Sequence, residues 1–317
     1  MHYIISSTIN IKLADSLAVH YKYITPKTKV LLHNGSCVFG EDLNLGDVLL
    51  SPIPNAKVIV GSIHPFQSQN YMIIPRFCNT PFLVNENTLL PIKHENSYLF
   101  ISIQRYQQLT NKNNIGLVHE PADFTQYPIK IDPYILGIWF NHNRRTSNLI
   151  ILPKTTVTVI FYIQAFLDKF KVQHTDHDDC VIITDKRILH YMKLYNLTSS
   201  SSYPKIPTPF MYNVRPVREK FLAGFIDNNI TDQILIVDEQ LKDDILFIAH
   251  SLGHLTITKY KDKMWYVTIT YTNNEIDLNP CNNDFKVAKI PYQDALCVGL
   301  VGGPMSSAIY LSDFTAL

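Results

Sequence analysis

The chain of 317 residues has almost no net charge: 28 Lys and Arg against 27 Asp and Glu leave +1. A balance this close gives no global field that would gather nucleic acid from a distance. Cysteine is scarce and scattered. Cys37, Cys78, Cys180, Cys281 and Cys297 form no CxxC pair, which argues against a zinc module. Their odd number and wide spacing read as thiols of a reducing, intracellular compartment, with nucleus and cytoplasm not distinguished. No apolar run approaches the ~20 residues that span a bilayer, so no membrane partner is expected. Met1 to His20 has no basic start and no small-residue cleavage site, and no signal peptide is expected. No GxGxxG or other phosphate-binding loop is found. Gly35-Ser36 and Gly61-Ser62 lack the Gly-x-Ser-x-Gly elbow of a hydrolase.

What is there is apolar and aromatic. Hydrophobic residues make up 46% of the chain, enough for real cores. Tyr 18 and Phe 16 against Trp 2 favour a fold that contains sheet. Up to about Pro128 the pattern reads as all-β. Lys29-Val-Leu-Leu32 leads into the turn His33-Asn-Gly-Ser36, and Val48 to Leu50, Lys57 to Val60 and Tyr71 to Ile74 are further strands. The middle mixes both periods. Asp132-Pro133 opens a helix, Thr156 to Phe170 is amphipathic, and Cys180 to Thr184 is a strand. Gln240 to Leu252 is helical and stops at Gly253. Leu255 to Lys259 and Trp265 to Tyr271 alternate as a hairpin. The order helix, strands, helix occurs twice, which reads as an internal duplication. The end of the chain returns to short strands.

Two segments carry a family resemblance. Phe221-Leu-Ala-Gly-Phe-Ile-Asp-Asn-Asn-Ile230 resembles the LAGLIDADG helix of one class of homing endonucleases. Asp132-Pro-Tyr-Ile-Leu-Gly-Ile-Trp-Phe-Asn-His-Asn143 looks like its partner copy. Thr28 to Ser51 resembles the first block of an intein's Hint splicing domain, Phe82 to Leu90 the second, and Leu311 to Thr315 its terminal strand. The layout is thus similar to an intein interrupted by a LAGLIDADG (DOD-type) endonuclease, in a degenerate copy. The resemblance implies an α+β fold: a β-rich Hint-like domain formed by both chain ends, interrupted by a pseudo-twofold αββα-type domain. The implied segments are an extension at 1–22, Hint-like parts at 23–130 and 281–317, and an endonuclease-like insert at 131–280. Gly137, Ala223 and Gly224 would let the two motif helices approach closely.

The residues that carry the family's chemistry are replaced. Tyr23 stands where splicing starts from Cys or Ser, and a phenol cannot perform the acyl shift. Asn85 and Thr88 stand where the second block has Thr and His, so the general acid is missing. In the family the terminal strand continues into the His-Asn pair that ends splicing, and no such pair follows Leu311 to Thr315 within residues 1–317. His142 and Asn229 occupy the positions whose carboxylates hold the metal ions that cut DNA. A neutral amide and an imidazole are poor ligands for magnesium. No catalytic residue, metal or cofactor is therefore expected; Mg2+ would enter only with a residual nuclease.

Across residues 131–280 cations and anions nearly cancel. Arg144, Arg145, Lys154, Lys186, Arg187, Lys259, Lys261 and Lys263 fall on predicted strands or loops. The resemblance makes them candidates for contacts to duplex DNA phosphates, with ordinary surface charge as the competing reading. His174-Thr-Asp-His-Asp-Asp179 has a metal-like composition and reads better as a solvated turn. Three functions stay open: a domesticated, non-cleaving DNA-binding protein; a structural or assembly protein that uses the fold for protein contacts; and a residual site-specific endonuclease.

Overall fold

The structure is a computed structural model. It describes residues 20–51, 58–75, 81–86, 88–94, 97–110, 112, 115–118, 121–142, 150–197, 205–229, 231, 233–270, 285–301 and 309–311. Arg144 and Arg145 lie outside these residues, as do Cys78 and Cys281.

The chain is a mixed α+β protein with several small sheets. Its first part holds β1 (His20–Ile24), β2 (Lys29–Leu31), β3 (Cys37–Phe39), β4 (Val48–Leu49) and β5 (Val58–Ser68). It continues through β6 (Asn70–Pro75), β7 (Phe82–Asn85), β8 (Leu89–His94), β9 (Ser97–Ser102), helix α1 (Ile103–Gln108) and β10 (Ile115–Leu117). Helix α1 corrects the all-β reading of this part; Ser102 caps it, accepting from the backbone of Arg105. The last strands are β17 (Phe285–Lys289) and β18 (Gln293–Val301).

Both chain ends meet in one seven-stranded sheet, ordered β17-β6-β7-β1-β18-β5-β4. Strand β1 pairs with β18 from His20↔Leu300 to Ile24↔Leu296, and β18 also pairs with β5. One core unites residues from Ile24 to Leu117 with residues from Phe285 to Leu311. The alternation of the strands explains it: Ile24, Val298 and Val60 point into that core, while Ile59 and His64 stay exposed.

The middle of the chain has its own core. Its elements are α2 (Pro133–Asn141), β11 (Ile150–Pro153), α3 (Val157–Phe170), β12 (His174–Asp176), β13 (Cys180–Ile183) and α4 (Lys186–Leu194). Then follow α5 (Thr208–Met211), α6 (Arg215–Asp227), β14 (Ile234–Ile236), α7 (Glu239–Ser251), β15 (Leu255–Lys261) and β16 (Met264–Thr270). The two halves repeat one order: helix, strand, helix, hairpin. Their sheets are wired alike, β11-β13-β12 and β14-β16-β15, so the second hairpin strand is central in each. This corrects the expected αββα order. One strand precedes the second helix and two follow it.

The repeats meet through α2 and α6. A methyl group at Gly137 would collide with the backbone of Phe221 and Phe225, and one at Gly224 with the backbone of Tyr134. Glycine at both positions therefore sets how closely the helices cross. Ala223 is half-buried and packs against the same core.

A third, small core joins the middle to β2, the end of β4 and Tyr310. Leu31, Leu50 and Tyr310 pack there with Ala122 and Phe124, against Tyr212 and Phe247. Arg218 of α6 lies beside it, fully buried. Its Nε donates to the Asn213 carbonyl at 2.8 Å and Nη1 to the Ser251 carbonyl at 2.7 Å. Nη1 also reaches the Ser251 hydroxyl, and Nη2 the Ala122 carbonyl. The guanidinium sits 4.8 Å from the centre of the Phe124 ring. Burial lowers its pKa to about 10, so it stays charged, held by oxygens rather than by a carboxylate.

Candidate functional site

The ends of α2 and α6 are the first candidate. Helix α2 starts cleanly: the Asp132 side chain accepts from the backbone of Tyr134 at 2.9 Å and of Ile135 at 3.3 Å, with Pro133 in the first turn. It ends at His142, whose backbone N–H bonds the Trp139 carbonyl at 3.3 Å. Helix α6 ends at Asp227, with Asn228 as its cap.

Helix ends leave carbonyl oxygens without partners, and here amides supply the donors. The Asn229 Nδ2 donates to the carbonyls of Phe225 at 3.1 Å and Ile226 at 3.2 Å. The Asn141 Nδ2 also reaches the Phe225 carbonyl. Thr155 donates to the Asn228 side chain at 2.9 Å, and Thr156 to the Asp227 carbonyl at 3.2 Å. An aspartate at 229 could make neither of the two Asn229 side-chain bonds and would face the negative end of the helix dipole. Asparagine therefore has a structural use at the position where the family resemblance implies a metal ligand. The last residue of α6, Asp227, accepts from the Tyr134 hydroxyl at 2.7 Å. Burial and Asp227 together raise the Tyr134 pKa. Among the described residues no group of three His, Cys, Asp or Glu side chains could hold a metal ion. His174, Asp176 and His177 lie at the β12 end of the first sheet, and Asp176 is paired with Lys154 at 2.7 Å.

The outward sheet faces are the second candidate. Register places Ile151, Ile182 and Thr175 in one row across the first sheet. It places Leu235, Tyr266 and Lys259 in one row across the second. In each sheet the alternate residues, such as Ile150, Val181, Ile234 and Val267, are buried. The proposed cations divide accordingly. Lys259 and Lys261 are exposed on β15, and Lys263 is exposed in the turn after it with φ 63°. Lys261 is 3.8 Å from Asp262. Lys154 follows β11 and donates to the His177 carbonyl at 2.6 Å besides its ion pair. Lys186 and Arg187 open helix α4, which corrects their placement on strands or loops. Arg187 is committed to Asp185, at 2.7 Å and 3.0 Å. That guanidinium holds the Asp185 carboxyl well below the usual carboxylate range.

The splicing-like positions form the third. The structure brings Tyr23, Asn85 and Thr88 together. Thr88 Oγ1 lies 3.0 Å from the Tyr23 carbonyl and 3.0 Å from the Asn85 side chain, while the Asn85 backbone donates back to it at 3.2 Å. A threonine hydroxyl thus sits at the Tyr23 carbonyl, where the resemblance implies a histidine that protonates the departing amide, and an alcohol is too weak an acid for that role. Sequence reasoning missed the neighbour of this cluster. Tyr23 pairs across strands with Cys297, and Cys297 with His64. Burial pushes the Cys297 thiol up, against a smaller opposing effect of Tyr23, so it is protonated and weakly nucleophilic at neutral pH. Arg218 was missed too, because nothing in a single sequence separates a buried guanidinium from a surface one.

No helix of the described residues is long and apolar enough to cross a membrane. No family model matches the chain, and no curated protein matches it.

Proposed function

We propose that this protein is a degenerate relative of inteins carrying LAGLIDADG homing endonucleases, and that it holds duplex DNA without cutting it. The observation that carries the reading is the crossing of α2 and α6 through Gly137 and Gly224, between two halves wired alike. The bond from Thr88 to the Tyr23 carbonyl supports the Hint-like half of the reading. In this account the outward faces of the two three-stranded sheets straddle the duplex. Lys259, Lys261 and Lys263 then meet phosphates from the β15–β16 hairpin, with Arg144 and Arg145 on the first repeat. His142 and Asn229 offer no anionic oxygen for a cation, so cleavage is lost.

A second reading rests on the same faces. Ile151 and Ile182 are half-buried, and Leu235 and Ile257 are 46% and 36% exposed. Apolar side chains on an outward sheet face favour a protein partner. A mobility-shift assay with an arbitrary duplex at low salt separates the two. Lys259→Ala with Lys261→Ala should weaken retardation equally on every sequence. If no duplex is retarded, the DNA reading fails and protein assembly becomes the account. Cleavage in Mg2+ would instead establish the residual nuclease.

A further inference from the structure

A cavity bordered by the first turns of α2, α4 and α6 lies apart from the candidates above and shares only Arg187 with them. It measures about 560 Å3, within the range of sites that enclose small organic ligands. Phe166, Phe170, Val172, Ile188, Tyr191 and Val217 form its apolar walls. Three cations, Lys130, Arg187 and Lys220, line it with a single carboxylate, Asp132. That carboxylate is already engaged. It accepts from the Tyr134 and Ile135 backbone, from the Tyr162 hydroxyl at 3.2 Å and from the Lys220 ammonium at 2.7 Å. Arg187 spends Nε and Nη2 on Asp185, while its side chain remains 64% exposed. Lys130 is exposed and has no carboxylate partner among the described residues. The walls would exclude water from an apolar body, and the rim carries positive charge left unmatched by Asp132 and Asp185.

We propose that this cavity binds a small amphipathic anion, an aromatic or short aliphatic body bearing one carboxylate or sulfonate. The body fills the space between Phe166, Phe170 and Val217, and the head lies at Lys130 and Arg187. The site opens at the starts of α2 and α6, whereas the DNA reading uses their ends and the sheet faces. Its occupant is therefore independent of nucleic acid.

Isothermal titration of the full chain with 2-naphthalenesulfonate, and separately with 2-naphthol, tests this. One sulfonate should bind per chain, roughly tenfold more tightly than the neutral naphthol, because a charge-assisted contact is added at the rim. Lys130→Glu should weaken the sulfonate about tenfold with the thermal midpoint unchanged. Ile188→Trp should fill the cavity and abolish both heats; if that variant fails to fold, Lys130→Glu alone decides. Equal affinity for sulfonate and naphthol, no heat from either, or no effect of Lys130→Glu would overturn the proposal.

Discussion

Helix α2 ends at Asn141 and is followed by His142, and helix α6 ends at Asp227 and is followed by Asn228 and Asn229. The elements that follow them are wired alike, yet they present different surfaces. The first repeat turns Ile151, Ile182 and Thr175 outward and pairs Lys154 and Arg187 with its own aspartates. The second turns Leu235, Tyr266, Lys259 and Lys261 outward and leaves the lysines exposed. The difference separates what the fold demands from what it tolerates. Buried rows and the glycine crossing recur in both halves, because packing density leaves no alternative. Helix ends and outward rows diverge, because no core constrains them.

The crossing should be the most sensitive point in the molecule. Gly224→Val or Gly137→Val drives a branched side chain into the facing backbone, which cannot move like a side-chain tip. Overpacking a core costs about 1–3 kcal/mol even where side chains can shift. Here the loss should exceed that range, seen as insoluble protein or as a collapsed chemical-denaturation midpoint.

Arg218 comes next. Arg218→Met keeps the apolar stem but strips donors from the carbonyls of Asn213, Ser251 and Ala122. A buried acceptor left without a donor costs about 1–3 kcal/mol, and Ser251 retains a bond from the Ala122 backbone. A total near 3 kcal/mol is expected in urea unfolding. If the variant is as stable as the parent, the third core does not depend on this clamp.

These two sites also show what could be read in advance. Asp132-Pro133, Thr156 and Gly253 are local signals, and α2, α3 and α7 begin or end at them. Gly137 and Gly224 were legible as packing residues because small residues inside apolar helical runs are unusual. Helix α4 was not found. It is nine residues long, yet Ile188, Tyr191, Met192 and Tyr195 fall at helical spacing and face the middle core; that stripe and the Asp185 cap were the usable signals. The clamp at Arg218 and the cavity beside Lys130 assemble from segments far apart in the chain. Local pattern carries no trace of either.

A smaller effect concerns pH. Burial, with a lesser contribution from Arg215, lowers the His254 pKa to about 4 from an ordinary 6.5. The unfolded chain therefore takes up a proton between these values and the folded chain does not. This part of the stability is fully present above pH 6.5 and is lost as pH falls toward 4. The amount is about 3.4 kcal/mol at most. His254→Asn should flatten the acid limb of a stability profile over that window. An unchanged slope would show that other groups set it.

The smallest effect bears on the helix ends. Asn229→Asp should cost about 1 kcal/mol, since the carboxylate faces carbonyls at the negative helix end. Combined with His142→Asp it should create a metal dependence the parent lacks. Millimolar Mg2+ should raise the thermal midpoint of the double variant alone. Equal shifts in parent and variant would mean that the cation binds elsewhere.

The central claim is a fold that holds duplex DNA and leaves it intact. The most direct test is a mobility-shift titration of the unmodified chain in Mg2+, repeated from 25 to about 200 mM salt. Three lysine–phosphate contacts predict a slope of about −3 in log affinity against log salt, nearer −5 if Arg144 and Arg145 also engage. The account predicts a retarded, full-length duplex with that slope on every sequence. A duplex that runs free at the lowest salt, or one that is cut, would contradict it.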